Sequence, residues 1–186
     1  PGGHFPQVTI SDYTIPFFSA GFWFLVGLNE EFAKLLILLL IAYPSRYIEE
    51  TFDGILYAVV ISVGFATMEN FFYLNQHGIA IAITRTVITV PAHTFMSVPM
   101  GYFVAKSRKL FEGRNKVKPH FYLPTQFIIL GWFISAILHG MYDFLLSFDM
   151  ETSAYLQILL MALISFWLCK VTLSESKNQK MYRGDM

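Results

Sequence analysis

The chain has 186 residues, 55% of them hydrophobic and 14% charged, and its 13 basic and 13 acidic residues cancel to no net charge. A soluble domain carries about 25% charged residues, so a membrane protein is expected, and the balanced charge gives no pointer to nucleic acid as a partner. One cysteine, Cys169, excludes an internal disulfide and reads as a small packing residue in an apolar segment.

No linker or internal repeat divides the chain, so 1–186 reads as a single domain. It begins with Pro1, as a trimmed sequence lacking upstream helices would, and shows no basic region followed by a cleavage site. A bilayer core takes roughly 20 mostly apolar residues per helix. Five stretches meet this length, at about 16–43, 54–74, 79–104, 125–148 and 153–173. Open strands are excluded because lipid cannot satisfy their edges, and barrel strands are only about 10 residues long. The expected fold is therefore all-α, a polytopic transmembrane helix bundle with about five spans.

In chain order, the first span holds Glu30, Glu31 and Lys34 before a run from Leu35 to Tyr43 without charge. Lys34 lies three residues after Glu31 and four after Glu30, so either acid can pair with it. The two glutamates point about 100° apart on a helix, so one can be held by Lys34 while the other faces a cavity. The second span contains "FATMEN", with Glu69 beside Asn70 among aromatic residues. In the third, Arg85, Thr89, His93 and Ser97 recur every four residues and form one polar stripe; Pro91 and Pro99 can kink it. Arg85 lies near the outer boundary and can snorkel there; the alternative is a contact with substrate or Glu69. In the fourth, Asp143 follows His139 by four residues, where a carboxylate fixes a histidine tautomer.

The connection 105–120 holds Lys106, Arg108, Lys109, Arg114, Lys116 and Lys118 against Glu112. Positive residues mark cytoplasmic loops, which places the N-terminus outside and the C-terminus inside. Topology accounts for these charges without invoking nucleic acid.

An ionisable side chain at the middle of a span costs about 2.5–3.5 kcal/mol on insertion scales. Glu30, Glu31, Lys34, Glu69, Arg85, His93, His139 and Asp143 are therefore expected to face one another and water. Drawn on straight spans, their axial spread is about 14 Å, which helix tilt and the prolines must narrow. Carboxylates and imidazoles on four helices can activate water. In a metal-free version a glutamate takes the proton and the histidines bind the oxyanion. In a zinc version Glu69, His93 and His139 are the ligands, with Glu30 or Glu31 as base. H-E-x-x-H, the usual zinc helix, is absent. A proton-coupled transporter and a non-catalytic membrane scaffold are the competing classes.

"NEEFAKL" resembles an EExxK motif, "FATMEN" an FxxxEN motif, "AHTFMSVPMGYF" an HxxxxxxxGYF motif and "LHGMYDF" an HxxYDF motif. In this order on successive spans they resemble the PrsW family of intramembrane proteases, similar to the wider CAAX-prenyl-protease superfamily. The resemblance covers residues 29 to 144. It implies cleavage of a membrane-anchored protein of the anti-sigma-factor kind in a prokaryotic plasma membrane, with Glu30, Glu31 and His93 catalytic and Lys34, Glu69, His139 and Asp143 at the other motif positions. The CAAX-type motif FxxxH ends in histidine where this chain has Glu69, so a metal-free mechanism does not carry over directly.

Overall fold

In a computed structural model of the chain, residues 14–44, 48–114, 122–148 and 150–183 are described. Five helices follow one another: α1 (Thr14–Ile37), α2 (Thr51–His77), α3 (Ile79–Arg114), α4 (Tyr122–Ser147) and α5 (Glu151–Arg183). A π-helical turn, Leu38–Ala42, extends α1, and Tyr43 N–H donates to Leu38 O at 2.8 Å. Among the described residues there is no strand, as expected for an all-α bundle. Lys116 and Lys118 of the basic connection lie outside the described residues.

Among the described residues four helices, α2 to α5, are long and apolar enough to cross a bilayer. The fifth expected span, α1, falls short on composition because Glu30, Glu31 and Lys34 interrupt it. Its two faces differ sharply. Phe22, Leu25, Phe32 and Leu36 are exposed, whereas Glu31, Lys34, Leu35 and Leu38 are buried. The apolar outer surface continues over α5 through Leu156, Leu159, Leu163 and Phe166. Polar groups inside and apolar ones outside is the arrangement lipid demands.

Two glycine contacts bring the helices close. A Cβ at Gly27 of α1 would lie 2.6 Å from Ala136 O and 2.7 Å from Gly140 N on α4. One at Gly140 would lie 2.8 Å from Phe24 Cα. Gly54 on α2 and Gly101 on α3 make a similar contact. In lipid, helices gain little from hydrophobic burial against each other, so close backbone approach supplies the packing energy. Gly140 directly follows His139, and Gly27 precedes Glu31 by one turn, so this contact sets the distance between those two side chains. Gly140→Leu is expected to push α1 off α4 and destabilise the bundle by about 1–3 kcal/mol, the range for overpacking. Thermal unfolding in detergent checks this, with Gly64→Ala, where nothing lies within 4 Å, as the neutral control.

Between α2 and α3 the chain turns at one residue. Gly78 has φ 85°, a conformation that side chains with a Cβ rarely adopt, and its N–H donates to Leu74 O at 3.0 Å. Residues 75–77, read as a loop from the sequence, are thus helical. Asn70 then binds α2 to α3 through Ala82 O at 3.0 Å and Thr86 Oγ1 at 2.6 Å. At the start of α2, Asp53 accepts from the N–H groups of Glu49 and Glu50 at 2.9 and 2.7 Å, so this acid caps a helix. Pro99 leaves the carbonyl of Phe95 without its helical donor, and Ser165 Oγ of α5 lies 3.5 Å from it.

Candidate functional site

All seven expected site residues meet in one place. Glu30, Glu31 and Lys34 come from α1, Glu69 from α2, His93 from α3, and His139 and Asp143 from α4. The axial spread drawn on straight spans does not persist. Glu69 Oε2 lies 3.1 Å from His93 Nε2, and the rings of His93 and His139 meet edge to face with centroids 4.7 Å apart. Ser62 Oγ of α2 donates to the carbonyl of His93 at 2.7 Å and fixes the height of α3 against α2.

The adjacent glutamates have different surroundings. Glu31 and Lys34 have 0% exposed side chains and pair at 2.5 Å. Glu31 Oε1 also accepts from His139 Nδ1 at 2.9 Å, and its Oε2 accepts from Ser97 Oγ at 3.4 Å. Three donors thus converge on that carboxylate. Glu30, turned about 100° away, lines a cavity of about 350 Å³ together with Glu69, Arg85, His93, His139 and Asp143. Trp23, Tyr73, Thr89 and Tyr142 complete its polar and aromatic walls. This volume is in the usual range for small-molecule and substrate sites.

Hydrogen bonding sets the proton positions. A carboxylate only accepts, so Nδ1 of His139 donates to Glu31, and in a neutral ring Nε2 keeps its lone pair. That Nε2 faces Glu30 Oε2 at 3.4 Å and Asp143 Oδ2 at 3.5 Å. Three acceptors thus converge with no donor between them. The orienting carboxylate of His139 is accordingly Glu31 at Nδ1, while Asp143, expected in that role, shares the cavity side of the ring. His93 is arranged the other way. The Lys34 ammonium only donates, so His93 Nδ1 accepts from it at 3.0 Å, and a neutral ring carries its proton on Nε2 beside Glu69.

Glu30 Oε2 is buried without a hydrogen-bond partner, whereas Glu69 Oε2 has His93 Nε2 at 3.1 Å and Arg85 Nη2 at 3.5 Å beside it. Four carboxylates surround the site against two basic side chains, Lys34 and Arg85. Such an excess of negative charge in a low-dielectric setting calls for protons or a cation. Glu30, His93 and His139 each offer a ligand atom, all within 4.8 Å of one another. One carboxylate and two imidazoles form a set that suits zinc, and the orphaned oxygen of Glu30 fits the same role. The sequence reading had Glu69 as the carboxylate of this set. The structure brings Glu30 there and leaves Glu69 between His93 and Arg85.

Arg85 is the site residue that sequence reasoning undervalued. Its place in the stripe Arg85–Thr89–His93–Ser97 was the available signal, since the same face that carries His93 carries it too.

The model of a family described as "PrsW family intramembrane metalloprotease" matches residues 7–169. The chain is similar to Protease PrsW of Bacillus subtilis (strain 168), 34% identical over 135 residues, which cover 73% of this chain and 55% of that protein. It is 33% identical over 167 residues to Protease PrsW of Clostridioides difficile (strain 630), covering 86% and 66%. With Protease PrsW of Shouchella clausii (strain KSM-K16) it shares 38% identity over 123 residues, covering 66% and 53%. The chain spans about half to two thirds of the length of these relatives. No solved structure matches it significantly.

Proposed function

Because the chain belongs to the PrsW family of intramembrane metalloproteases, we propose that its cavity hydrolyses a peptide bond of a membrane-anchored protein with carboxylate-activated water. The observation that carries this reading is the approach of Glu30 Oε2 and Asp143 Oδ2 to His139 Nε2, at 3.4 and 3.5 Å, on the wall of one cavity. A water there meets acceptors on every side, as an attacking nucleophile requires.

Glu30, His93 and His139 would hold a zinc ion, which when bound supplies an acidified water and a positive charge for the developing oxyanion. Glu31 fixes His139 with Nε2 toward the cavity, and Lys34 keeps Glu31 ionised. Glu69, at the cavity wall beside His93 and Arg85, is then the carboxylate that takes the proton of water. A metal-free reading is favoured by one contact. Lys34 at His93 Nδ1 leaves that ring presenting N–H, the form that donates to an oxyanion. In that reading Glu30 is the base.

Metal analysis of the purified chain separates the two. The zinc reading predicts one bound ion, lost in Glu30→Gln, His93→Ala and His139→Ala and retained in Glu69→Gln. Metal-free protein that still cleaves a single-span reporter removes it. Protein that cleaves nothing removes proteolysis, and ion flux in liposomes lost with Glu30→Gln would favour a transporter.

Tyr73, Arg85, Leu146 and Ser147 line the cavity at one end of the bundle, near the turn at Gly78 and the end of α4. Lys106, Arg108 and Lys109 lie toward the other end of α3. With positive residues inside, the cavity faces the outer side of a bacterial plasma membrane. Substrates of the anti-sigma-factor kind, implied by the resemblance, would be cut there.

A further inference from the structure

Arg85 belongs to none of the matched motifs, yet it is built into the cavity wall. Its Nη2 lies 3.5 Å from Glu69 Oε2, and its Cζ lies 3.6 Å from the centre of the Tyr73 ring. Tyr73 follows Glu69 by one turn of α2, so ring and carboxylate present one continuous face to the guanidinium. Glu69 Oε2 in turn lies 3.1 Å from His93 Nε2. A snorkelling arginine would carry its head to water and headgroups. This one has a side chain 19% exposed, and its Nε is buried with no hydrogen-bond partner. It gives up a hydrogen bond to lie between an aromatic face and a carboxylate, a placement that suits a planar guanidinium.

We propose that Arg85 is a positioning residue for the reaction: stacked on Tyr73, it pins Glu69 against His93 and so fixes the imidazole that faces the cavity. This rests on the cavity being the proteolytic site. The alternative roles differ in consequence. A substrate anchor would act on binding, independently of Glu69. A purely structural arginine would alter stability and leave the state of His93 alone.

The test uses the full chain with 15N-labelled histidine in detergent micelles. Arg85→Gln is expected to move the His93 ring resonances and leave those of His139 in place. In the Glu69→Gln background the same change is expected to add nothing. Tyr73→Leu, which keeps the charge and removes the stack, should reproduce part of the shift, and Arg85→Lys should restore less than wild type. Unmoved His93 resonances in Arg85→Gln, or a shift that adds in full to that of Glu69→Gln, overturn the proposal. If Arg85→Gln fails to fold, Tyr73→Leu decides by the same readout. With a fluorescent single-span peptide as probe, kcat should fall roughly 10-fold to 100-fold with KM within about twofold of wild type. A change confined to KM assigns Arg85 to substrate binding instead. Wild-type chain that does not cleave the probe counts against proteolysis, while the resonances still decide the role of Arg85.

Discussion

Glu30→Gln is expected to lower the cleavage rate by a factor of about 10²–10⁴, the usual contribution of a positioned acid or base, and to leave the bundle folded. The amide keeps the size of the side chain but cannot take a proton from water, and it is a poor metal ligand. Its site is cavity surface, 22% exposed with Oε2 unpartnered, so no buried hydrogen bond is broken. Glu31→Gln should look different. It removes the counter-charge of a fully buried lysine and weakens the hold on His139 Nδ1. Both rate and stability should therefore fall. Cleavage of a single-span reporter and thermal unfolding, read on the two variants side by side, separate these patterns. A Glu30→Gln chain that cuts at the wild-type rate would take Glu30 out of the chemistry.

That the two glutamates divide in this way was legible in part from spacing alone. A 100° turn per residue points the two side chains in different directions, and a single lysine can neutralise only one of them. Which one it holds was not legible, because Lys34 is within helical reach of both. The choice depends on α4: Gly27 and Gly140 let it approach until His139 adds a second donor to Glu31. The same distinction bears on the ligand set proposed above. Periodicity placed His93 and His139 on inward stripes, as the structure has them. Depth along a straight span could not say whether Glu30 or Glu69 completes the set, since that is fixed by how far α1 and α2 slide against α3. Ser62, Asn70 and Gly78 determine that slide for α2, and none of them carries a charge that would have drawn notice. The helices themselves follow from apolar runs, and α1 is the exception that tests the rule. Its composition falls short of a span because its charges belong to the site.

Lys34→Met should destabilise the fold by about 3–5 kcal/mol, the range for removing one partner of a buried ion pair. Lys34 is 0% exposed, and its Nζ lies 2.5 Å from Glu31 Oε1, 3.0 Å from His93 Nδ1 and 4.9 Å from the centre of the Phe65 ring. Methionine has a similar volume and tolerates the contact with Phe65, so little cavity is opened. What remains is a carboxylate in the bundle interior with only His139 and Ser97 as donors. For a chain of this size each kcal/mol moves the melting temperature by about 2–4 °C, so a fall of roughly 6–20 °C is expected. The double variant Glu31→Gln/Lys34→Met discriminates between charge and shape. Replacing both ends of a buried pair is often neutral, so most of the lost stability should return. Activity should not return with it, because His93 has lost the donor that fixed its proton on Nε2. A single Lys34→Met chain that melts like wild type would show that the pair does not hold α1 in place. A fully active double variant would show that the proton position on His93 does not matter to the reaction.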